Sequence, residues 1–340
     1  MYSENQIESA VAAGAISAEA AAALRAHVQG LHLAPLADEE NFRLISGFND
    51  IFVAIAGILV LVGGAWIGGS VRATFGAVAV AGLAWGMAEY FTRQRRMALP
   101  SIIFLLAFVG SVFVLVAKLG AKGSGFELQD HSETPFLALA AAFAAGAAFL
   151  HWRRFKVPIT VAAGAVSLGL VAIFLIMSII PSSADFLLWI FFALGLALFA
   201  FAMRWDMQDP TRQTRKSDVA FWLHLAAAPM IVHPIFVALG MRTGEPSAGA
   251  AIVVLGIYLL IAAVALIVDR RALMVSALSY VLFAVVALFQ QFGFVDLNVA
   301  IAILVIGSGL LLLSAFWNTM RGILLPLVPM QWRARLPAAH

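Results

Sequence analysis

Cysteine is absent from all 340 residues, and charge is scarce: Asp, Glu, Lys and Arg together make up 11% of the chain. The first absence excludes disulfides, thiolate metal sites and cysteine nucleophiles. The second argues against an ordinary water-soluble fold, in which about 25% of residues are charged. Several chemistries are also missing as motifs. There is no Gly-x-x-x-x-Gly-Lys-[Ser/Thr] loop to cradle the phosphates of ATP, and no His-Glu-x-x-His helix to hold a catalytic zinc. Nor is there a Gly-x-Ser-x-Gly elbow to carry a serine nucleophile. No catalytic residue, metal or cofactor is expected on these grounds. An early basic region followed by a short apolar core is missing too, so no cleavable signal peptide is expected.

What the chain has in excess is hydrocarbon. Hydrophobic residues make up 63% of it, and its mean hydropathy is +0.98. The apolar residues gather into ten runs, at 51–69, 74–91, 99–118, 135–151, 157–180, 184–203, 219–240, 247–268, 272–289 and 298–317. Each is close to the roughly 20 residues a helix needs to cross about 30 Å of hydrocarbon. The runs are continuous rather than alternating, which favours helices over barrel strands. The expected fold is therefore all-α, a bundle of about ten transmembrane helices over 51–317, with the lipid bilayer as its solvent.

The breaks between the runs are alternately rich and poor in Lys and Arg. One side collects Arg25 and Arg43, then Arg93, Arg95 and Arg96, then Arg153, Arg154 and Lys156. It continues with Arg204, Arg212, Arg215 and Lys216, then Arg270 and Arg271, and finally Arg321, Arg333 and Arg335. The other side has only Arg72, Lys118, Lys122 and Arg242. Positive charge marks the cytoplasmic side, which predicts both termini in the cytoplasm and, for a bacterial chain, residence in the inner membrane. The sequence pI near 9.5 would otherwise suggest nucleic acid. With a net charge of only +3 and the basic residues confined to one set of short loops, no nucleic-acid partner is expected.

Arg96, Arg154, Arg212 and Arg270 stand 58 residues apart, all in loops of the basic side. Two spans and two short loops add up to about that length in any case, so the spacing fits a duplicated helical hairpin and a coincidence of geometry equally well.

The first 35 residues read as a small cytoplasmic helical hairpin. Ile7 and Val11 share a face, Gly14 is a natural helix stop, and Ser17 is a good N-cap for a second helix with Glu19 in its first turn. Two short helices bury little surface, so a second copy of the chain or a protein partner is expected to dock on residues 1–35. Phe42, Ile45 and Phe48 recur every three residues, which predicts an interfacial amphipathic segment over 36–50. A tail over 318–340 is expected to lie in the cytoplasm or at the interface.

The stretches Ala13-Gly14-Ala15-Ile16-Ser17-Ala18-Glu19 and Glu40-Asn41-Phe42-Arg43-Leu44-Ile45-Ser46-Gly47-Phe48-Asn49-Asp50-Ile51-Phe52, followed by many spans, carry a family resemblance. They resemble a group of bacterial polytopic inner-membrane proteins known as a domain of unknown function, with an N-terminal Gly-x-Ile-Ser helical hairpin. The resemblance implies a membrane bundle and brings no activity or functional residue with it.

Ionisable groups in lipid are costly, so they are the place to look for function. Four stand out: Asp50 at the start of the first run, Glu89 near the end of the second, and His224 and His233 in the seventh. Asp50, Glu89 and His224 should lie toward the cytoplasmic face, where convergence would make a proton-responsive cluster. The two histidines are nine residues apart, on opposite sides of a straight helix. Pro229 and Pro234 each remove a backbone donor from that helix and tend to kink it. Gln290, Gln291, Asp296 and Asn298 form a polar patch at a loop, and Trp152, Trp205 and Trp317 fall where aromatic belts sit. Gly64-x-x-x-Gly68 and Gly82-x-x-x-Gly86 permit close helix approach. Two functions remain open. One is a non-enzymatic assembly, scaffold or regulatory component acting through the arm. The other is a secondary transporter of a neutral or amphiphilic solute, which would need a cavity lined by His224, His233 or Tyr258.

Overall fold

The computed structural model describes residues 4–24, 48–120, 133–212, 214–239, 248–291, 298–333 and 336–337. The chain divides into two compact units, an N-terminal arm and a helical body. In the arm, α1 (Glu4–Ala12) ends where Gly14 takes φ +70. The Ala15 amide then donates to the Ala10 carbonyl at 2.9 Å, which closes the helix end. Ser17 caps the next helix, α2, described over 18–24; its Oγ accepts from the Ala20 amide at 3.0 Å. Most of the expected interfacial segment, 36–47, lies outside the described residues.

Every described element of the body is helical, and each of the ten apolar runs falls on a helix. The first four are α3 (Phe48–Val71), α4 (Ala73–Met87, continuing as a π-helix over Ala88–Gln94), α5 (Ala98–Gly120) and α6 (Thr134–Phe155). Next come α7 (Ile159–Ile179), α8 (Leu187–Asp206, entered through a 3-10 turn at Pro181–Phe186) and α9 (Arg215–Ala238). The last three are α10 (Ala248–Val268), α11 (Ala272–Gln291) and α12 (Asn298–Ala315). Short α13 (Trp317–Leu324) and α14 (Met330–Arg333) follow.

Among the described residues, seven helices are long and apolar enough to cross a membrane. They number eight if α12 and α13, bent by 72° at Phe316, count as one span. This is fewer than the ten the runs suggest, for a physical reason in α4. Its α-helical stretch has 15 residues, a rise of about 22 Å, before the hydrogen bonding changes to the π pattern.

The odd-numbered helices α3, α5, α7, α9 and α11 form a row in which each touches the next. The even-numbered helices lean on this row: α4 bridges α3 and α5, α6 packs on α5 and α7, α8 on α9, and α10 on α11. The least apolar candidate spans, α6 and α9, are also the most buried. This order suits a lipid solvent, because the outer helices show hydrocarbon to it while small and polar residues pack between helices. Phe52, Trp66, Leu259 and Leu304 are each more than 60% exposed.

Small residues set two close crossings. A methyl on Gly68 would stand 2.8 Å from the Gly76 Cα, and a methyl on Gly195 of α8 would stand 2.8 Å from Met230 Cβ of α9. Gly82 and Gly86 have nothing within 4 Å of a built methyl, so the second Gly-x-x-x-Gly pair is not a packing contact.

Candidate functional site: a buried charge network

Several buried charged groups lie at the end of the body where the basic loops lie: Asp206, Asp209, Asp269, Arg270 and Arg321. Helix α8 runs three residues beyond the apolar run at 184–203, and so Asp206 sits on the helix and is 3% exposed. Its carboxylate is held from two sides. His224 Nε2 of α9 lies 2.8 Å from Oδ2. Arg270, between α10 and α11, donates Nε to Oδ2 at 3.2 Å and its terminal nitrogen to Oδ1. Arg270 is 1% exposed and also donates to the Ser217 carbonyl and hydroxyl, each at 3.2 Å. The Ser217 hydroxyl meets the guanidinium rather than the imidazole, so the set lacks the nucleophile–base hydrogen bond of acyl transfer. Phe199 packs edge-on to His224 with ring centroids 5.1 Å apart.

A second cluster adjoins it in sequence. Asp269, next to Arg270, has φ +61, a left-handed conformation that Asp tolerates better than most residues. Arg212 binds it twice, through the carboxylate at 2.8 Å and the carbonyl at 2.7 Å. The Trp317 indole N–H donates to Asp269 Oδ1 at 2.7 Å. Arg321 stands 3.8 Å from Oδ2 and donates Nε to the Leu266 carbonyl at 3.1 Å, one of the carbonyls left without an intrahelical partner at the end of α10. Its terminal nitrogen donates to the Pro337 carbonyl. Trp317 is therefore a buried ligand of Asp269, 2% exposed, and not a member of an interfacial belt. Arg321, in the tail expected to lie in the cytoplasm or at the interface, is 1% exposed.

The loop between α8 and α9 is tied locally. The amide and hydroxyl of Thr214 donate to Asp209 Oδ2 at 2.8 and 2.7 Å. Thr214 Oγ1 accepts from the Lys216 amide at 3.3 Å and so caps α9.

The sequence candidates find partners elsewhere. Glu89 lies in the π-helical turn, where Arg154 of α6 grips it in a two-pronged pair, Nε to Oε1 at 2.7 Å and Nη2 to Oε2 at 2.9 Å. Arg93 adds a contact at 3.4 Å. His224 belongs to Asp206 and His233 to the Tyr280 hydroxyl of α11. The two histidines thus bond to different helices, as their spacing requires. Asp50 is 2% exposed at the start of α3. Helix α9 runs unbroken through Pro229, which is exposed, and Pro234, which is buried. The side chains of Gln290, Gln291, Asp296 and Asn298 lie outside the described residues. His151, which no sequence signal picks out, is fully buried among Trp85, Phe108 and Phe155, with Nδ1 3.2 Å from Thr160 Oγ1.

The 58-residue spacing coincides with a recurring joint. Arg96, Lys156, Arg212 and Asp269, one in each of four basic-side connections, have φ between 54 and 61, although none is glycine. The ion pairs also recur: Glu89 and Arg154 are 65 residues apart, Asp206 and Arg270 64. In each case a carboxylate near the end of one even-numbered helix meets an arginine at or just past the end of the next. The first pair is partly exposed and the second is buried. This regularity is the signal that could have found Asp206 and Arg270 in the sequence.

Two adjoining cavities lie between α10, α11, α12 and α13, of about 110 and 460 Å³. They share Tyr258, Met274, Leu310 and Leu313. The buried Tyr258 hydroxyl has no hydrogen-bond partner among the described residues. Among the described residues, no three His, Asp or Glu gather to hold a metal. The chain matches no protein-family model, no curated protein and no solved structure.

Proposed function

We propose that this protein is a ten-span inner-membrane protein of bacterial type, with both termini cytoplasmic, that acts without catalysis as an assembly, scaffold or regulatory component. One observation carries the reading: the buried charges Asp206, Arg270, Asp269 and Arg321 are engaged with groups on neighbouring helices and connections. Charges used in this way fix helices against one another; they are not poised at an open site. The arm, a compact unit of its own, is the part that recruits a partner or a second copy through residues 1–35. Membership of the Gly-x-Ile-Ser family is part of the same proposal and rests on residues 13–19 and 40–52.

The test is deletion of residues 1–35 followed by native mass spectrometry of protein released gently from its own membrane. The expected result is a folded bundle that has lost a second copy or foreign subunit. A full-length chain that travels alone would overturn the reading.

A specific observation favours a second reading, a carrier of a neutral or amphiphilic small molecule: Tyr258 lines both cavities. In this cysteine-free chain, Tyr258→Cys should then react with a soluble maleimide. Complete protection would count against transport.

A further inference from the structure

Helix α13 leaves the end of α12 at 72°. Spanning helices tilt by about 20° on average, so a helix set at that angle to one of them runs closer to the membrane plane than to its normal. Its level is fixed by hydrogen bonds. Trp317 donates to Asp269 just past the end of α10, and Arg321 donates to the Leu266 carbonyl in the last turn of α10. Helix α13 therefore sits where the apolar length of α10 ends and the basic connections begin.

At about 3.6 residues per turn, the positions of α13 and the 3-10 turn after it (Leu325–Leu327) fall into three sectors. Trp317, Arg321 and Leu325 are buried and face the body. Asn318, Thr319 and Gly322 make a polar and small sector. Phe316, Met320, Ile323 and Leu327 make a third, apolar and exposed. The bonds of Trp317 and Arg321 fix the rotation of the helix, so the apolar sector cannot turn inward. That sector continues from Leu312 on the exposed apolar surface of α12 and runs on to Met330 and Trp332 of α14. Ile323, Leu327, Met330 and Trp332 are each at least 60% exposed. The larger cavity, lined by Met320 and Ile323, has almost wholly apolar walls, so hydrocarbon rather than water suits that side of the helix. From Leu297 to His340 the sequence has no Asp or Glu, and Arg333 at the end of α14 is exposed.

We propose that the segment 317–333 is a membrane-surface element. It lies along the bilayer with Ile323, Leu327, Met330 and Trp332 sunk to the acyl–headgroup boundary and Arg333 among the headgroup phosphates. An amphipathic helix in the plane of the interface buries its apolar face about 5–10 Å into that boundary, and tryptophan favours the same depth. The partner of this face is thus the lipid surface, not a second copy or a foreign subunit. The proposal rests on the membrane bundle of the reading above, but not on its arm or its threading.

The experiment places one nitroxide at a time on the full-length, otherwise cysteine-free chain, through Thr319→Cys, Leu327→Cys or Met330→Cys, in vesicles of phosphatidylglycerol and phosphatidylcholine. Paramagnetic resonance then compares collisions with oxygen, which concentrates in hydrocarbon, and with a water-soluble nickel chelate. The ratio of oxygen to nickel collisions should be severalfold higher at Leu327 and Met330 than at Thr319. Leu327 and Met330 read the same face, so either serves should the other variant misfold. Equal ratios at Thr319 and at the two apolar positions would overturn the proposal, as a solvated tail gives that result. Exclusion of both reagents from Leu327 and Met330 would overturn it too, because a protein would then cover the face. A label at Leu304→Cys on α12, an exposed position, separates the two readings. Oxygen should dominate there even if the surface proposal fails, whereas nickel dominating at Leu304 would sink the membrane bundle itself.

Discussion

Asp206 and Glu89 illustrate how the same chemistry has different consequences at different depths. Both are carboxylates gripped by an arginine at or just past the end of the next even-numbered helix. Glu89 keeps 30% of its side-chain surface and Arg154 41%, so water screens the pair and competes for it. Asp206 and Arg270 are 3% and 1% exposed. Removing one partner there strands a buried charge, at a cost of about 3–5 kcal/mol. Asp206→Asn should therefore lower thermal stability in detergent far more than Glu89→Gln, as read by the midpoint of a tryptophan-fluorescence melt. The double variant Asp206→Leu/Arg270→Met removes the charge together with its counter-charge. It should recover much of the loss, and a double-mutant cycle with a large coupling energy checks this. Equal midpoints for Asp206→Asn and Glu89→Gln would show that depth does not govern the pair.

At the scale of elements, α9 is the central member of the second half. It carries two histidines and two prolines and touches α7, α8 and α11. Pro234 leaves the Met230 carbonyl without its usual intrahelical donor, and Gly195 of α8 packs against that same residue. The close approach exists because Gly195 has no side chain: a methyl there would stand 2.9 Å from the Met230 carbonyl carbon. Gly195→Leu should push α8 from α9 and, through Asp206, pull on Arg270. The expected outcome is a lowered melting midpoint and faster proteolysis of the loop between the two helices. Pro229→Ala, at an exposed position, should leave both readouts near wild type.

Across the whole helical body, the arrangement is a row of odd-numbered helices with even-numbered helices leaning on it, joined on the basic side by left-handed residues that are not glycine. Such joints cost of order 1–3 kcal/mol each and persist only where their surroundings hold them. Arg212 and Asp269 are held by each other. The proposed threading makes a sharp prediction in this cysteine-free chain. Single cysteines at Arg96 and Arg212 should react only when a membrane-impermeant maleimide reaches the inner face, and one at Arg242 only from outside. Labelling of Arg96→Cys and Arg242→Cys from the same side would refute the ten-span threading.

The sequence by itself determined that the chain is helical and at home in lipid. Both follow from composition and from continuous apolar runs, which need no knowledge of neighbours. It also determined the arm's local signals, because the Gly14 stop and the Ser17 cap act within a few residues. It singled out Glu89 and His224, since a lone charge in an apolar run is conspicuous. Only the tertiary structure decided their partners. Asp206 and Arg270 are 64 residues apart, and nothing local distinguishes them from solvated loop residues. Their role arises because α8 continues past its apolar segment and the helix packing closes over its end. Trp317 and Arg321 belong to the same class, since burial beside Asp269 depends on the bend at Phe316, and a bend depends on what the two helices pack against. The paired cavities at Tyr258 are likewise a property of four helices together, as a void has no sequence of its own.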